Sequence, residues 1–437
     1  LDDCCSHGAR SGGRRRCRVR GDETEQARTP IEFRAGARMI RAFRYPLRPT
    51  KAQEATLEAW LTASCTLYNA ALQERRDAWS KQHVRISRFD QQKELTELRA
   101  TDPEWEMIPL LVQRSALRRL DRAFLAFFRH VKRGEKKGYP RFRSRDRYDS
   151  FTLPPLFGVR AEGDHVRLPK LGLVKFHQYR EMRGRMKQVT VGRSSTRGWY
   201  VSFVCDLGEA PTKIAVRSAI GIDVGLEAFA TLSNGERVEN PRFFRASEKT
   251  LARRQQLLAR KQRGSNSRRQ ARTLVARTYE HIRNQRLDFA RKFACAIFNR
   301  FDLVAHENLE IARMMRGHLS KSIRDAAWGV AIKALNCKAE GAGKWVVATD
   351  PRRSSIDCSG CGEPVPKDLS QREHRCPQCG LILHRDENAA RNVLARGLRA
   401  GSLTEAVTTV GPEFMASLTE AVTTVGPEFM ATLGACQ

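Results

Sequence analysis

Hydrophobic positions divide the chain into stretches of different period. Residues 1–38 show no periodic apolar pattern and are rich in Arg, Gly and small polar residues. Such a stretch cannot bury enough surface to fold and reads as disordered. We expect it to be a non-native extension ahead of a natural beginning at Met39, with a basic RNA-binding arm as the alternative. A short apolar strand follows Met39. Thr50 then stands where a helix cap belongs, with Gln53 in the capping-box position. Ala55, Leu57, Trp60, Leu61, Leu67, Tyr68 and Leu72 recur at helical spacing. A second helix is predicted from about Arg88 to Ala100 behind Ser87, and a third from Pro109, a favoured first-turn residue. The apolar face of the third holds Leu117, Leu120, Phe124, Phe127 and Phe128, which we assign to the core.

The period shortens after Arg133. Between Arg133 and Leu153 basic residues interleave with Tyr139, Phe142, Tyr148 and Phe151 in a Gly/Pro-broken loop. Cations for phosphates and aromatic faces for bases suit a single-stranded nucleic acid. The other reading is a solvated loop whose aromatics tuck into a neighbouring sheet. Short β-rich runs at His165–Leu168, Gly172–His177, Gln188–Val191 and Trp199–Asp206 predict a small barrel or sandwich. Beyond them "SAIGIDVGLEAFATLSNGERV" predicts two strands and a hairpin at Asn234-Gly235. A long helical stretch runs from Ser247 to about Phe298, interrupted at Gly264-Ser265-Asn266. "FDLVAHENL" reads as a buried strand ending in Glu307, Ser320–Ala339 as a helix closed by Gly341, and "KWVVATD" as another buried strand.

Charge changes what these elements are for. The 437 residues suggest two to four domains at about 150 residues each. They carry 79 Lys and Arg against 48 Asp and Glu, a net charge of +31 with a pI near 10.3. A chain this basic calls for a polyanionic partner, and nucleic acid is the usual one. The charge is clustered: Lys249–Lys292 holds 14 Lys and Arg against two acids, Glu280 and Asp288, which favours a phosphate track over a merely solvated face. No run of 18 apolar residues occurs, so no membrane span is expected, and no secretion signal is read. Twelve scattered cysteines do not make a disulfide scaffold. We expect a cytoplasmic, nucleoid-associated protein.

Two groups of residues carry chemistry. Cys358-x-x-Cys361 and Cys376-x-x-Cys379 are separated by fourteen residues, the pattern of a four-thiolate zinc ribbon. Gly362 and Gly380 let the backbone turn under the sulfurs. Four protein thiolates leave no position for water, so Zn2+ here would be structural. His374 and His384 lie nearby as bystanders. The second group is carboxylates. Asp223 interrupts the apolar strand "IGIDVG", facing away from Ile220, Ile222 and Val224. Glu307 ends an apolar run, and Asp386 starts a helix just past the ribbon. Together they could converge on Mg2+, whose preferred ligands are hard oxygens. Singly they could be a strand-end residue, a salt bridge and a helix cap.

The order Ile-Gly-Ile-Asp-Val-Gly, His-Glu-Asn-Leu, the Cys-x-x-Cys pair and Arg-Asp-x-Asn-Ala-Ala resembles TnpB. These are the OrfB-type transposases of compact insertion elements, related to type V CRISPR effectors. "RYPLRPTKAQ", "GYPRFRS", "ENPRFF" and "DAAWG" extend the likeness over roughly Met39–Leu398. The resemblance implies an α+β multidomain chain. Its RNase H-like (RuvC) α/β nuclease would carry the zinc ribbon as an insertion, behind an N-terminal helical region and a small β-barrel wedge. On that plan residues 39–215 are recognition helices and barrel, and 216–353 and 381–398 the two nuclease parts. Residues 354–380 are the ribbon. Asp223, Glu307 and Asp386 match the catalytic acids holding two Mg2+. Cys358, Cys361, Cys376 and Cys379 match the zinc ligands. The implied partners are a guide RNA and a double-stranded DNA target, bound by a monomer with its RNA. The rival reading is a non-catalytic, zinc-containing regulator of transposition. "SLTEAVTTVGPEFMA" occurs twice, at Ser402–Ala416 and Ser417–Ala431, so residues 399–437 are expected to be a disordered tail left by a DNA-level duplication. A short interaction tail is the alternative.

Overall fold

The structure, a computed structural model, describes residues 38–135, 138–155, 158–196, 198–368 and 370–400. The expectations for the N-terminal extension and the repeat tail therefore fall outside the described residues, except at their edges. Arg38 opens a strand and Arg399 closes a helix, so both belong to folded elements rather than to the flanking segments.

Strand β1 (Arg38–Arg48) alternates, burying Phe43, Tyr45 and Leu47. Helix α1 (Lys51–Gln82) begins with the expected capping box. Gln53 N–H donates to Thr50 Oγ1 at 3.3 Å, and Thr50 N–H to Gln53 Oε1 at 3.0 Å. Helix α2 (Arg88–Thr101) has a second box between Ser87 and Asp90. A short α3 (Pro103–Met107) precedes α4 (Leu110–Lys132), with Pro109 just outside the helix rather than in its first turn. Leu57, Trp60, Leu61, Tyr68 and Leu72 of α1 pack with Leu117, Leu120 and Phe124 of α4. Ala55 is exposed. Phe128 is 54% exposed and Phe127 only half-buried, so the apolar run of α4 overshoots its core.

Six further strands join β1. They are β2 (Ser150–Leu153), β3 (Arg160–Glu162), β4 (His165–Leu168), β5 (Gly172–Phe176), β6 (Arg185–Ser194) and β7 (Gly198–Glu209). They form one antiparallel sheet, ordered β2-β6-β7-β1-β5-β4-β3. No pairing among the described residues joins β2 to β3, so closure into a barrel is not seen. Its apolar side shares a single core with α1 and α4.

A second sheet follows, from β8 (Ala219–Val224), β9 (Ala228–Leu232), β10 (Arg237–Glu239), β11 (Leu303–Glu307) and β12 (Trp345–Thr349), ordered β10-β9-β8-β11-β12. The first three are an antiparallel meander turning at Gly235 (φ 86°), and β11 and β12 run parallel to β8. Its helices are α5 (Phe243–Ala259), α6 (Asn266–Arg300), α7 (Ile311–Met314), α8 (Ser320–Ala326), α9 (Trp328–Ala342) and α10 (Arg385–Arg399). A small hairpin, β13 (Glu373–Arg375) with β14 (Ile382–His384), precedes α10. Helices α6 and α9 cover the face carrying Ile220, Ile222 and Val304. Helix α10 covers the opposite face, against Ala219, Leu303 and Ala305.

Two helix expectations are corrected. Helix α5 starts at Phe243, four residues before Ser247. Its first N–H groups, on Phe244 and Arg245, donate to the Asp325 carboxylate at 2.7 and 3.0 Å. The stretch expected as one helix, Ser320–Ala339, is broken at Ala327 (φ 58°) and ends at Gly343 (φ 66°) instead of Gly341. Asp325 is held by α5 and by Arg286 at 3.0 Å, which fixes α8 in its own direction. No helix among the described residues is long and apolar enough to cross a membrane.

Helix α10 lies unusually close to the sheet. A Cβ on Gly221 would stand 2.1 Å from the Ala390 carbonyl oxygen, and one on Gly397 2.5 Å from Ala305 Cβ. Overpacking of this kind costs about 1–3 kcal/mol. Gly221→Ala is therefore expected to lower the thermal unfolding midpoint; an unchanged midpoint would show that α10 is not pinned here.

Candidate active site and metal centre

Strand parity selects the face on which the acids stand. On β8, Ala219 and Gly221 face α10, so Asp223 does too. On the parallel neighbour β11, His306 pairs with Ile222, and Leu303, Ala305 and Glu307 share the α10 side. Asp386 lies in the first turn of α10, one turn before the Ala390 contact with Gly221. The three acids predicted from the sequence thus meet at the carboxyl ends of β8 and β11.

Their electrostatics reflect that meeting. Burial pushes the Asp223 carboxyl well above the usual range, and the charges of Glu307 and Asp386 push it further, against a smaller opposing pull from Arg385. Burial also raises Glu307, while Ser354 and Arg396 act the other way. Ser354 Oγ donates to Glu307 Oε1. Asp386 keeps the favourable N-terminus of α10, which is capped by His384: Asp386 N–H donates to His384 Nδ1 at 3.2 Å. The carboxylates are not drawn into one tight knot. Among the described residues, only four cysteines form a group of three or more donors with ligand atoms all within 4.8 Å of one another. The acids therefore stand apart from one another on one face, and such a donor set fits hard divalent cations.

The four cysteines are Cys358, Cys361, Cys376 and Cys379. Their knuckles repeat one geometry. Gly362 N–H donates to Cys358 O at 2.9 Å and Gly380 N–H to Cys376 O at 3.0 Å, with φ of 81° and 73° at the two glycines. The sulfurs of Cys358 and Cys379, and of Cys361 and Cys376, lie 3.6 Å apart. Four sulfurs at this spacing suit a tetrahedral Zn2+. Neither His374 nor His384 belongs to the group.

A clamp that the motif spacing did not reveal joins this cluster to the acids. Asn392 Nδ2 donates to the carbonyls of Ser354 (2.8 Å) and Asp357 (2.7 Å). Asn388, fully buried, donates to Asp357 O and accepts from Ser359 N–H, both at 2.8 Å. Arg396 holds the carbonyls of Asp350 and Arg352 at 2.9 and 2.6 Å. One face of α10 thus grips the segment leading into Cys358, and that segment presents Ser354 to Glu307. The sequence signal was available: Asn388, Asn392 and Arg396 follow at four-residue steps.

The basic hairpin α5–α6 contributes to a groove of 1960 Å3 between β1, α6, α8 and α9. Arg41, Arg180, Arg283, Arg291, Lys321 and Lys333 line it, and its one acid, Asp288, is paired with Lys292 at 3.2 Å. The groove is on the α6–α9 side of the second sheet, the acids on the α10 side.

This arrangement has relatives. A family model described as "Probable transposase" matches residues 202–317, and a Cas12f1-like TNB domain matches 328–393. A Streptomyces pristinaespiralis protein named "Putative RNA-guided DNA endonuclease" is 32% identical over 389 residues, 84% of this chain and 92% of that protein. The chain belongs to the OrfB (TnpB) transposase family. An Escherichia coli member named "Putative RNA-guided DNA endonuclease InsQ" is 29% identical over 377 residues, covering 82% of this chain and 92% of its own. The fold is similar to that of the protein in a Cas12f1–sgRNA–target DNA complex, with a TM-score of 0.51, 16% identity, and coverage of 79% and 83% of the two chains. A family helix-turn-helix model matches residues 39–83, where this chain forms β1 and one continuous helix, α1.

The raised Asp223 value has a testable sign. The folded state binds this proton more tightly than the unfolded chain. Its stabilising contribution is present below the ordinary carboxylate range and is lost as pH rises through the raised value. Relative to Asp223→Asn, the zinc-loaded, magnesium-free protein should therefore lose thermal stability as pH climbs above about 4. Asp223→Asn should flatten that slope and raise the midpoint at pH 8 by roughly 2–4 °C. Equal slopes in the two proteins would remove Asp223 as the source.

Proposed function

We propose that the chain is a transposon-encoded, RNA-guided DNA endonuclease that hydrolyses phosphodiester bonds in a RuvC-like, RNase H-like domain. The observation that carries this reading is the convergence of Asp223, Glu307 and Asp386 on one face of the β8–β11 sheet, where burial and the neighbouring acids make the ionised form of Asp223 costly unless a cation offsets it. Two Mg2+, held by these three acids, would supply the Lewis acidity that activates a water and stabilises the leaving oxygen. The protein's own part is placement. Ser354 fixes one Glu307 oxygen, the α10 N-terminus steadies Asp386, and Arg385 tempers the charge at Asp223. Zn2+ on the four cysteines would lock the ribbon so that the clamp on α10 holds its register.

In this reading residues 39–215 form the recognition region, 216–353 and 381–398 the nuclease, and 354–380 the zinc ribbon. The basic groove takes a guide–target heteroduplex by backbone charge, while base pairing supplies sequence. The relatives named as RNA-guided DNA endonucleases and the Cas12f1-like fold support the assignment.

The deciding experiment sequences RNA that copurifies with the protein, then exposes the complex and Mg2+ to a library of matched DNA with varied flanks. Cleavage beside one short flanking motif is expected, with a loss of at least about a hundredfold in Asp223→Ala. Specific binding without cleavage would instead make the chain a non-catalytic regulator. Cys379→Ser should also lose cleavage, though its sulfur touches no catalytic ion; full cleavage by that variant would break the proposed link from ribbon to Asp386 and Glu307.

A further inference from the structure

The basic, aromatic loop divides in two. Tyr148 and Phe151 are fully buried in the core beneath the first sheet, as aromatics tucked into a neighbouring sheet would be. Tyr139 and Phe142 remain 42% and 49% exposed. Phe142 lines a pocket of 360 Å3 between the loop and the C-terminal half of α4, with Tyr68 and Phe127 also in its walls. Tyr139 packs edge-on against Phe124 and Phe127, each at 5.4 Å between ring centres, and buttresses the same side. The pocket is built rather than incidental. Asn69 fastens the loop by two hydrogen bonds to the Arg143 backbone, both 2.9 Å, and Arg145 is tied to Glu58 and Thr62.

Its charge is as specific as its shape. Arg141 and Arg147 line the pocket, are exposed, and have no ion pair among the described residues. The nearby acids are engaged. Glu135 bonds His130 at 2.7 Å, and Asp146 meets Arg272 of α6 at 3.4 Å. That last contact places the loop beside the basic α5–α6 hairpin, so the pocket borders the phosphate track. An exposed aromatic face in a concave site, flanked by free guanidinium groups, fits a planar, uncharged ring attached to a phosphodiester.

We propose that this pocket captures an unstacked nucleobase of a single-stranded segment, with Phe142 as the stacking face and Arg141 and Arg147 on the adjoining phosphates. The inference rests on the nucleic-acid reading above and deepens it. A base in a duplex cannot enter, because its faces are covered by its neighbours. The pocket therefore selects single strands by stacking, which every base can provide.

The test measures binding of fluorescent 12-mers of uridine, of thymidine and of a matched duplex to full-length protein across a salt series. Phe142→Ala is expected to weaken single-strand binding by roughly 5- to 150-fold per base lost, with the duplex and the salt slope unchanged. Arg147→Ala should lower the slope by about 0.7. Phe142→Trp should retain affinity, which separates stacking from misfolding. The uridine and thymidine arms decide whether the captured strand is RNA or DNA. Photocrosslinking with 5-bromouracil should label a peptide containing Phe142. Unchanged single-strand binding by Phe142→Ala, or equal losses on single strand and duplex, overturns the pocket. DNA cleavage by wild type is scored separately. Cleavage with an idle pocket sinks only this inference, and a working pocket without cleavage sinks only the endonuclease reading.

Discussion

Repulsion among three carboxylates is the constraint around which the second half of the protein is arranged. Asp223 stands in a strand whose other residues are apolar, and Glu307 and Asp386 add like charge from a parallel neighbour and a helix start. Burying one unpaired carboxylate is costly, and grouping three compounds the cost. The protein offsets it only in part, through Ser354, Arg396 and Arg385. On the proposed reading, cations bound there would relieve that cost.

Holding the group together demands close packing. Gly221 and Gly397 let α10 approach the sheet at distances where a Cβ would collide. Asn388, Asn392 and Arg396 then bind the segment entering the cysteine cluster by its backbone carbonyls. The two sites are therefore mechanically continuous. A metal on the four cysteines would fix the segment, which offers Ser354 to Glu307, and the same helix starts with Asp386. Each buried bond in this chain is worth about 1 kcal/mol while intact and more than that if one partner is orphaned.

Much of this was legible in the sequence because it rests on local rules. Period-two parity put Asp223 opposite Ile220 and Ile222, spacing identified the four cysteines, and the Thr50–Gln53 box fixed the start of α1. What escaped depends on distant partners. Asp325 reads as an ordinary helical residue until α5 claims it, so the break at Ala327 was invisible. Phe128 fits a helical stripe, but the loop that packs on that end of α4 sets Tyr139 against Phe124 and Phe127 and leaves Phe128 exposed. Tyr139 and Phe142 are chemically like Tyr148 and Phe151, and only the path of the loop separates surface from core. The clamp residues were missed for another reason: the four-residue spacing of Asn388, Asn392 and Arg396 marks one helix face, but the carbonyls that face holds come from a distant segment.

The central claim is that Asp223, Glu307 and Asp386 form one cation site held by the ribbon and α10. It is tested most directly by titrating zinc-loaded protein with Mn2+ and following the free ion by electron paramagnetic resonance. The account predicts two Mn2+ bound per chain, with at most one retained in Asp223→Asn and the zinc content unchanged. Binding that is absent in the wild type, or identical in the two proteins, would contradict it.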